Sequence, residues 1–66
     1  MHHILYVTRR ENRLRQKDMA ELLHINPITY QLKESGKAAF TLPEAFTIAE
    51  RLGMTVEELF NKGDAL

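Results

Sequence analysis

QKDMAELLHINPITYQLKESGK, residues 16–37, holds two short helical patterns with a brief interruption at His24-Ile25-Asn26. The first pattern, residues 16–23, carries apolar side chains at Met19, Ala20, Leu22 and Leu23, close to helical period. The second, residues 27–34, is punctuated at both ends. Asn26 is a good N-cap, and Pro27 suits the first helical position, where a missing N–H costs nothing. Gly36 is the expected stop just past the end. His24 falls where the backbone would need a positive φ, which His tolerates better than most non-glycine residues. Two helices joined by three or four residues have the spacing of a helix-turn-helix. One feature of the second helix is unusual: Ile28, Tyr30 and Leu32 occupy every second position, and a short helix cannot bury all three against one core.

Working outward, punctuation recurs. Thr41-Leu-Pro-Glu44 and Thr55-Val-Glu-Glu58 both match the capping box, in which hydroxyl and carboxylate each satisfy one orphan N–H. Gly53 marks another stop. The spacing predicts five helices, over residues 4–12, 16–23, 27–34, 42–51 and 56–60. The fourth shows a three-four stripe of Leu42, Ala45, Phe46, Ala49 and Leu52. For the first segment a short strand is the alternative, because Ile4-Leu-Tyr-Val7 is β-prone. The fold class expected is therefore all-α: a compact bundle with short connections, one domain over residues 1–66, with a short N-terminal strand as the variant.

The totals narrow the function classes. A 66-residue chain buries only about 60% of its unfolded surface, so a second copy would help it. With no Cys there is no disulfide framework and no thiolate chemistry. No apolar run approaches the roughly 20 residues of a membrane span. The opening MHHILYV has neither a basic n-region nor a long apolar core, so no signal peptide is expected and the cytoplasm is the default. His2, His3 and His24 have poor spacing for metal ligands, and no nucleophile triad or phosphate-cradling glycine loop is present. Neither catalysis nor a cofactor, metal or small-molecule substrate is expected.

Net charge is zero, but the two halves differ. Residues 1–37 hold seven Lys/Arg against four acids, net +3, and residues 38–66 hold two against five, net −3. Five of the basic residues (Arg9, Arg10, Arg13, Arg15 and Lys17) fall between positions 9 and 17. Phosphate responds to local patches rather than totals, so this run is expected to face phosphate if a nucleic acid is the partner.

From Leu14 to Phe60 the chain resembles the Cro/Xre-type (lambda repressor-like) helix-turn-helix family without a gap. The resemblance is carried by Leu14, Gln16, Met19-Ala20-Glu21, Leu23, Ile25, Glu34-x-Gly36-Lys37, Leu42, Ile48-Ala49, Leu52-Gly53 and Glu58-Leu59-Phe60. It implies a five-helix domain that binds double-stranded DNA, usually as a homodimer, and regulates transcription in bacteria, phages or mobile elements. Gln16 is similar to the family's phosphate-contacting glutamine. The positions that reach base edges fall on Pro27, Ile28, Gln31 and Leu32, and backbone contacts fall on Thr29, Ser35 and Lys37. Arg10 and Arg13 lie where basic residues flank the DNA. Glu34 matches a structural carboxylate.

The chain also departs from the family pattern. His24 replaces the usual turn glycine, Arg15 a hydroxyl cap, and Tyr30 and Lys33 two core-facing aliphatics. The stripe of Ile28 and Leu32 replaces polar readers, and it leaves three readings open. The helix is rolled, so that Ile25, Ile28 and Leu32 pack into the core. Or it keeps the family register, and Ile28 and Leu32 meet thymine methyls while Gln31 supplies a hydrogen bond. Or the exposed stripe binds a protein. The function expected is sequence-specific DNA binding as a homodimeric repressor. The alternative is a protein-interaction module on the same scaffold, an antirepressor or a partner of a larger regulator. Repression is favoured because no separate activating or sensing domain fits in this length. Some of Met54, Val56, Leu59 and Phe60 must cap the core; the dimer contact is expected either from the rest of them or from Ile4, Tyr6 and Val7.

Overall fold

The computed structural model describes residues 1–60 of the chain. Helix α1 runs His3–Glu11, α2 Gln16–Leu23, α3 Pro27–Glu34, α4 Leu42–Leu52 and α5 Val56–Leu59. Each lies within one residue of its expected bounds at either end. Helices α2 and α3 pack on each other, α2 also packs on α4, and α5 bridges α4 and α1.

The strand alternative for residues 4–7 is overturned. His2, Leu5 and Arg9 are buried, a three-four spacing that defines one face of a helix. The sequence disguises this face because a charged residue completes it. A β-prone tetrapeptide thus becomes helical through packing rather than propensity.

Local chemistry sets the helix starts. The Asn26 side-chain oxygen accepts from the Ile28 N–H at 2.8 Å. At α4 the Thr41 hydroxyl accepts from the Glu44 N–H at 3.2 Å, and Glu44 accepts from the Thr41 N–H at 2.9 Å. Thr55 and Glu58 repeat the exchange at 3.0 and 2.8 Å. Helix α2 has only half of it. Arg15 offers no acceptor, but Asp18 takes the Arg15 N–H at 2.8 Å. His24 ends α2 in the left-handed region with φ of 57°, as its position in the turn implied. Arg13 adopts the same φ in the α1–α2 connection, a conformation its sequence context does not announce.

The core is made by Leu5, Met19, Ala20, Tyr30, Phe40, Ala45, Ile48, Ala49, Leu59 and Phe60. Phe40, just ahead of α4, lies against three rings: His2, Tyr30 and Phe60 at centroid separations of 5.5, 6.0 and 5.3 Å. Of the apolar C-terminal cluster, Leu59 and Phe60 cap the core, as expected of part of it, and Met54 and Val56 pack partly against it. One expectation needs correction here. In α4 the buried stripe is Ala45, Ile48 and Ala49, with Leu52 partly buried at its end, whereas Leu42 and Phe46 stand 53% and 58% exposed. Those two sit on one shoulder of the stripe, and sequence periodicity alone admits them to it.

Three carboxyls are held below their ordinary range. For Asp18 the cause is the Arg15 N–H and then the Arg15 guanidinium; for Glu58 it is its hydrogen bonds with Thr55. At Glu44 burial pushes upward, but the Lys33 ammonium at 2.6 Å and the Thr41 N–H outweigh it. A depressed folded pKa adds stability that is fully present above the unfolded value, 4.5 for Glu44, and is lost as pH falls through the folded value. Denaturant midpoints are therefore expected to drop below about pH 4.5. Glu44→Gln should make that acid limb shallower, and an unchanged limb would remove the Lys33–Glu44 pair from the account.

Candidate nucleic-acid interface

Helix α3 is held to the bundle by its polar residues as much as by its apolar ones. Tyr30 is fully buried and Glu34 is 2% exposed, one turn apart on the same face. Lys33, on a neighbouring line, keeps its stem partly buried and pairs with Glu44 of α4. With Tyr30 and Glu34 inward, the opposite side must face out. Ile28 is 67% exposed and Leu32 41% exposed. The rolled arrangement is thereby excluded: of the three residues it requires inside, only Ile25 packs against the core. Pro27 and Gln31 are also exposed, while Thr29 is half-buried. Lys37 is exposed in the following turn, where its N–H donates to the Leu32 carbonyl at 2.9 Å.

A buried carboxylate requires several donors, and Glu34 has them. Arg9 reaches across from α1 with two parallel bonds, Nε to Oε2 at 2.8 Å and Nη2 to Oε1 at 3.1 Å. Its third nitrogen, Nη1, donates to the Leu14 carbonyl at 2.7 Å. The Tyr30 hydroxyl donates to Glu34 Oε2 at 2.6 Å. Burial and that carboxylate push the phenol far above its ordinary value, which favours the protonated, donating form. Gln16 Nε2 donates to Glu34 Oε1 at 3.3 Å. One carboxylate thus ties α1, the start of α2 and α3 together, and it fixes how the Gln16 amide sits at the α2 N-terminus.

Around that N-terminus lies an open concavity of about 550 Å³, lined by Tyr6, Arg9, Arg10, Arg13, Leu14, Arg15 and Gln16. Of the expected site residues it brings together Arg10, Arg13 and Gln16. Arg10 and Arg13 are exposed, as is Lys17 on the first turn of α2. The basic run is not uniform, however. Arg9 is 6% exposed and committed to Glu34, so it is a structural residue and not a free cation. Arg15 is exposed but lies 3.3 Å from Asp18. Sequence reasoning missed Tyr6. Its hydroxyl accepts from Arg10 Nη1 at 2.8 Å, and its ring lies under the guanidinium carbons of Arg9 and Arg10 at 5.5 and 5.4 Å. The signal was there in the one-turn spacing of Tyr6 and Arg10, which places the two on one face of α1.

The geometry is thus an exposed helix face with apolar and amide groups, secured beside a helix N-terminus ringed with arginines. Among the described residues no helix is long and apolar enough to cross a membrane. A model of the helix-turn-helix family matches residues 6–59. No curated protein and no solved structure matches the chain. The family match covers all of α2 to α5 and most of α1, and the outward-facing α3 agrees with it. The chain belongs to the Cro/Xre-type helix-turn-helix family, whose members are DNA-binding regulators.

Proposed function

We propose that this domain binds duplex DNA sequence-specifically as a homodimer in the cytoplasm and represses transcription by occupying its site. The observation that carries the reading is the exposure of Ile28 and Leu32 on α3 together with Gln31. Helix α3 enters the major groove. Ile28 and Leu32 meet thymine methyls, Gln31 hydrogen-bonds a base edge, and Pro27 packs at the groove wall. Gln16 with the α2 N-terminus, Arg10, Arg13 and Lys17 take phosphates on one side, and Thr29 and Lys37 take backbone contacts on the other. A small DNA-bound dimer represses by blocking polymerase and needs no further surface for it.

Two copies are needed for reach. The eight-residue α3 of one copy enters one face of the groove, and a second copy supplies another α3 for the next face, roughly 34 Å away. For the contact between copies we assign Leu42 and Phe46. Glu44 points toward α3 through Lys33, and Phe46, two residues on, points to nearly the opposite side of α4. A second copy seated there leaves α3 free. Phe46→Ser should shift sedimentation from dimer to monomer without lowering the denaturant midpoint at low protein concentration. A variant that still sediments as a dimer would exclude this face.

The experiment that tests the whole reading is selection of bound sequences from a random duplex library, followed by a salt titration on the best of them. Affinity should fall with a log-log slope of about −0.9 per phosphate contacted. Association with no duplex at all, and salt-insensitive capture of a protein instead, would favour the interaction-module reading, for which an exposed apolar stripe is equally suited.

A further inference from the structure

The exposed pair on α3 has a chemical consequence beyond preference for thymine. We propose that Ile28 and Leu32 recognise a pyrimidine C5-methyl group as such, so that the domain accepts 5-methylcytosine where it accepts thymine and discriminates against unmodified cytosine. This rests on the reading of α3 as the groove-facing helix. In the major groove thymine differs from cytosine at two points, a carbonyl acceptor in place of an amino donor at C4 and a methyl group at C5. Telling O4 from N4 requires a side chain with one hydrogen-bonding character. Ile28 and Leu32 have neither donor nor acceptor, so they register only the methyl. Gln31, the amide between them, carries both a donor and an acceptor and satisfies either C4 group.

The spacing suits more than one base. Residues one turn apart place their Cβ atoms about 5–6 Å apart, more than the rise of about 3.4 Å per base step. Ile28, 67% exposed, and Leu32, 41% exposed, thus meet separate pyrimidines. A cytosine beneath either one offers no apolar group to cover. Methylating it adds a single carbon at the same place as the thymine methyl. One buried methyl corresponds to about a fourfold change in affinity.

The test uses the full chain and a duplex recovered by library selection. At each pyrimidine of the bound site, thymine is replaced by uracil, and separately by a cytosine pair with and without the 5-methyl group. Where uracil weakens binding about fourfold, 5-methylcytosine should bind about fourfold tighter than cytosine. Ile28→Ser or Leu32→Ser should erase both differences at its own position. Both residues are exposed, so these variants test contact and not folding. If the methyl on cytosine has no effect where the thymine methyl does, the proposal is overturned. If uracil equals thymine at every position, methyl recognition is overturned with it, while DNA binding stands. If no duplex is bound, the groove-facing reading itself fails.

Discussion

Arg9→Met should cost about 3–5 kcal/mol of folding free energy, a large part of the stability of so small a domain. The substitution keeps the apolar stem but removes the guanidinium from a carboxylate that is 2% exposed. Glu34 would retain only Tyr30 and Gln16 as donors, leaving a buried charge without its counter-ion. The Leu14 carbonyl would also lose its partner. Removing both charges is a different matter. In Arg9→Met combined with Glu34→Met neither charge has to be desolvated, so the double variant should unfold at a higher urea concentration than Arg9→Met alone. Urea denaturation of the two variants and the parent decides the point. An Arg9→Met midpoint equal to that of the parent would mean the network holds nothing together.

The second large effect concerns DNA. Replacing Arg10 and Arg13 together by Ala should weaken binding to every duplex about equally while leaving sequence preference in place, because phosphate contacts carry no sequence information. Each lost contact lowers the salt slope by about 0.9. The gap between variant and parent should therefore be about tenfold larger at 50 mM salt than at 200 mM. Fluorescence anisotropy on one fixed duplex across that range measures it. Parallel salt curves would show that the concavity between α1 and α2 carries no phosphate. Both arginines are exposed and neither is part of the Glu34 network; Arg10 gives up its contact with Tyr6, so the effect on folding should be small beside that on DNA.

The sequence made the helices legible because their ends are written in short-range chemistry. Asn26-Pro27, the two Thr-x-x-Glu boxes and Gly53 act within a few residues, and the structure uses each of them where it stands. Burial was less legible, since it depends on which side of a helix meets which neighbour. The strand alternative at Ile4-Leu-Tyr-Val7 came from β-propensity; the helical face that overrides it is completed by an arginine whose burial depends on a carboxylate 25 positions later. Leu42 and Phe46 erred in the opposite direction: helical spacing alone cannot distinguish a core stripe from its exposed shoulder. The candidate site followed the same division. Its α3 residues were readable in type, but their direction was settled only by Tyr30 and Glu34 facing in. Tyr6 was missed because the apolar run Ile4-Leu-Tyr-Val7 reads as a strand or a dimer contact, and only the structure shows its hydroxyl accepting from Arg10.

The anchoring of α3 bears on how such a domain changes over time. Tyr30, Glu34 and the Asn26 cap hold the helix, and none of them is a proposed reader of base edges. Positions 28, 31 and 32 are free of that duty, so they can drift through many side chains while the scaffold keeps folding. With α3 reading DNA as proposed, single substitutions at these exposed positions would alter the target while the anchors of the helix stay in place.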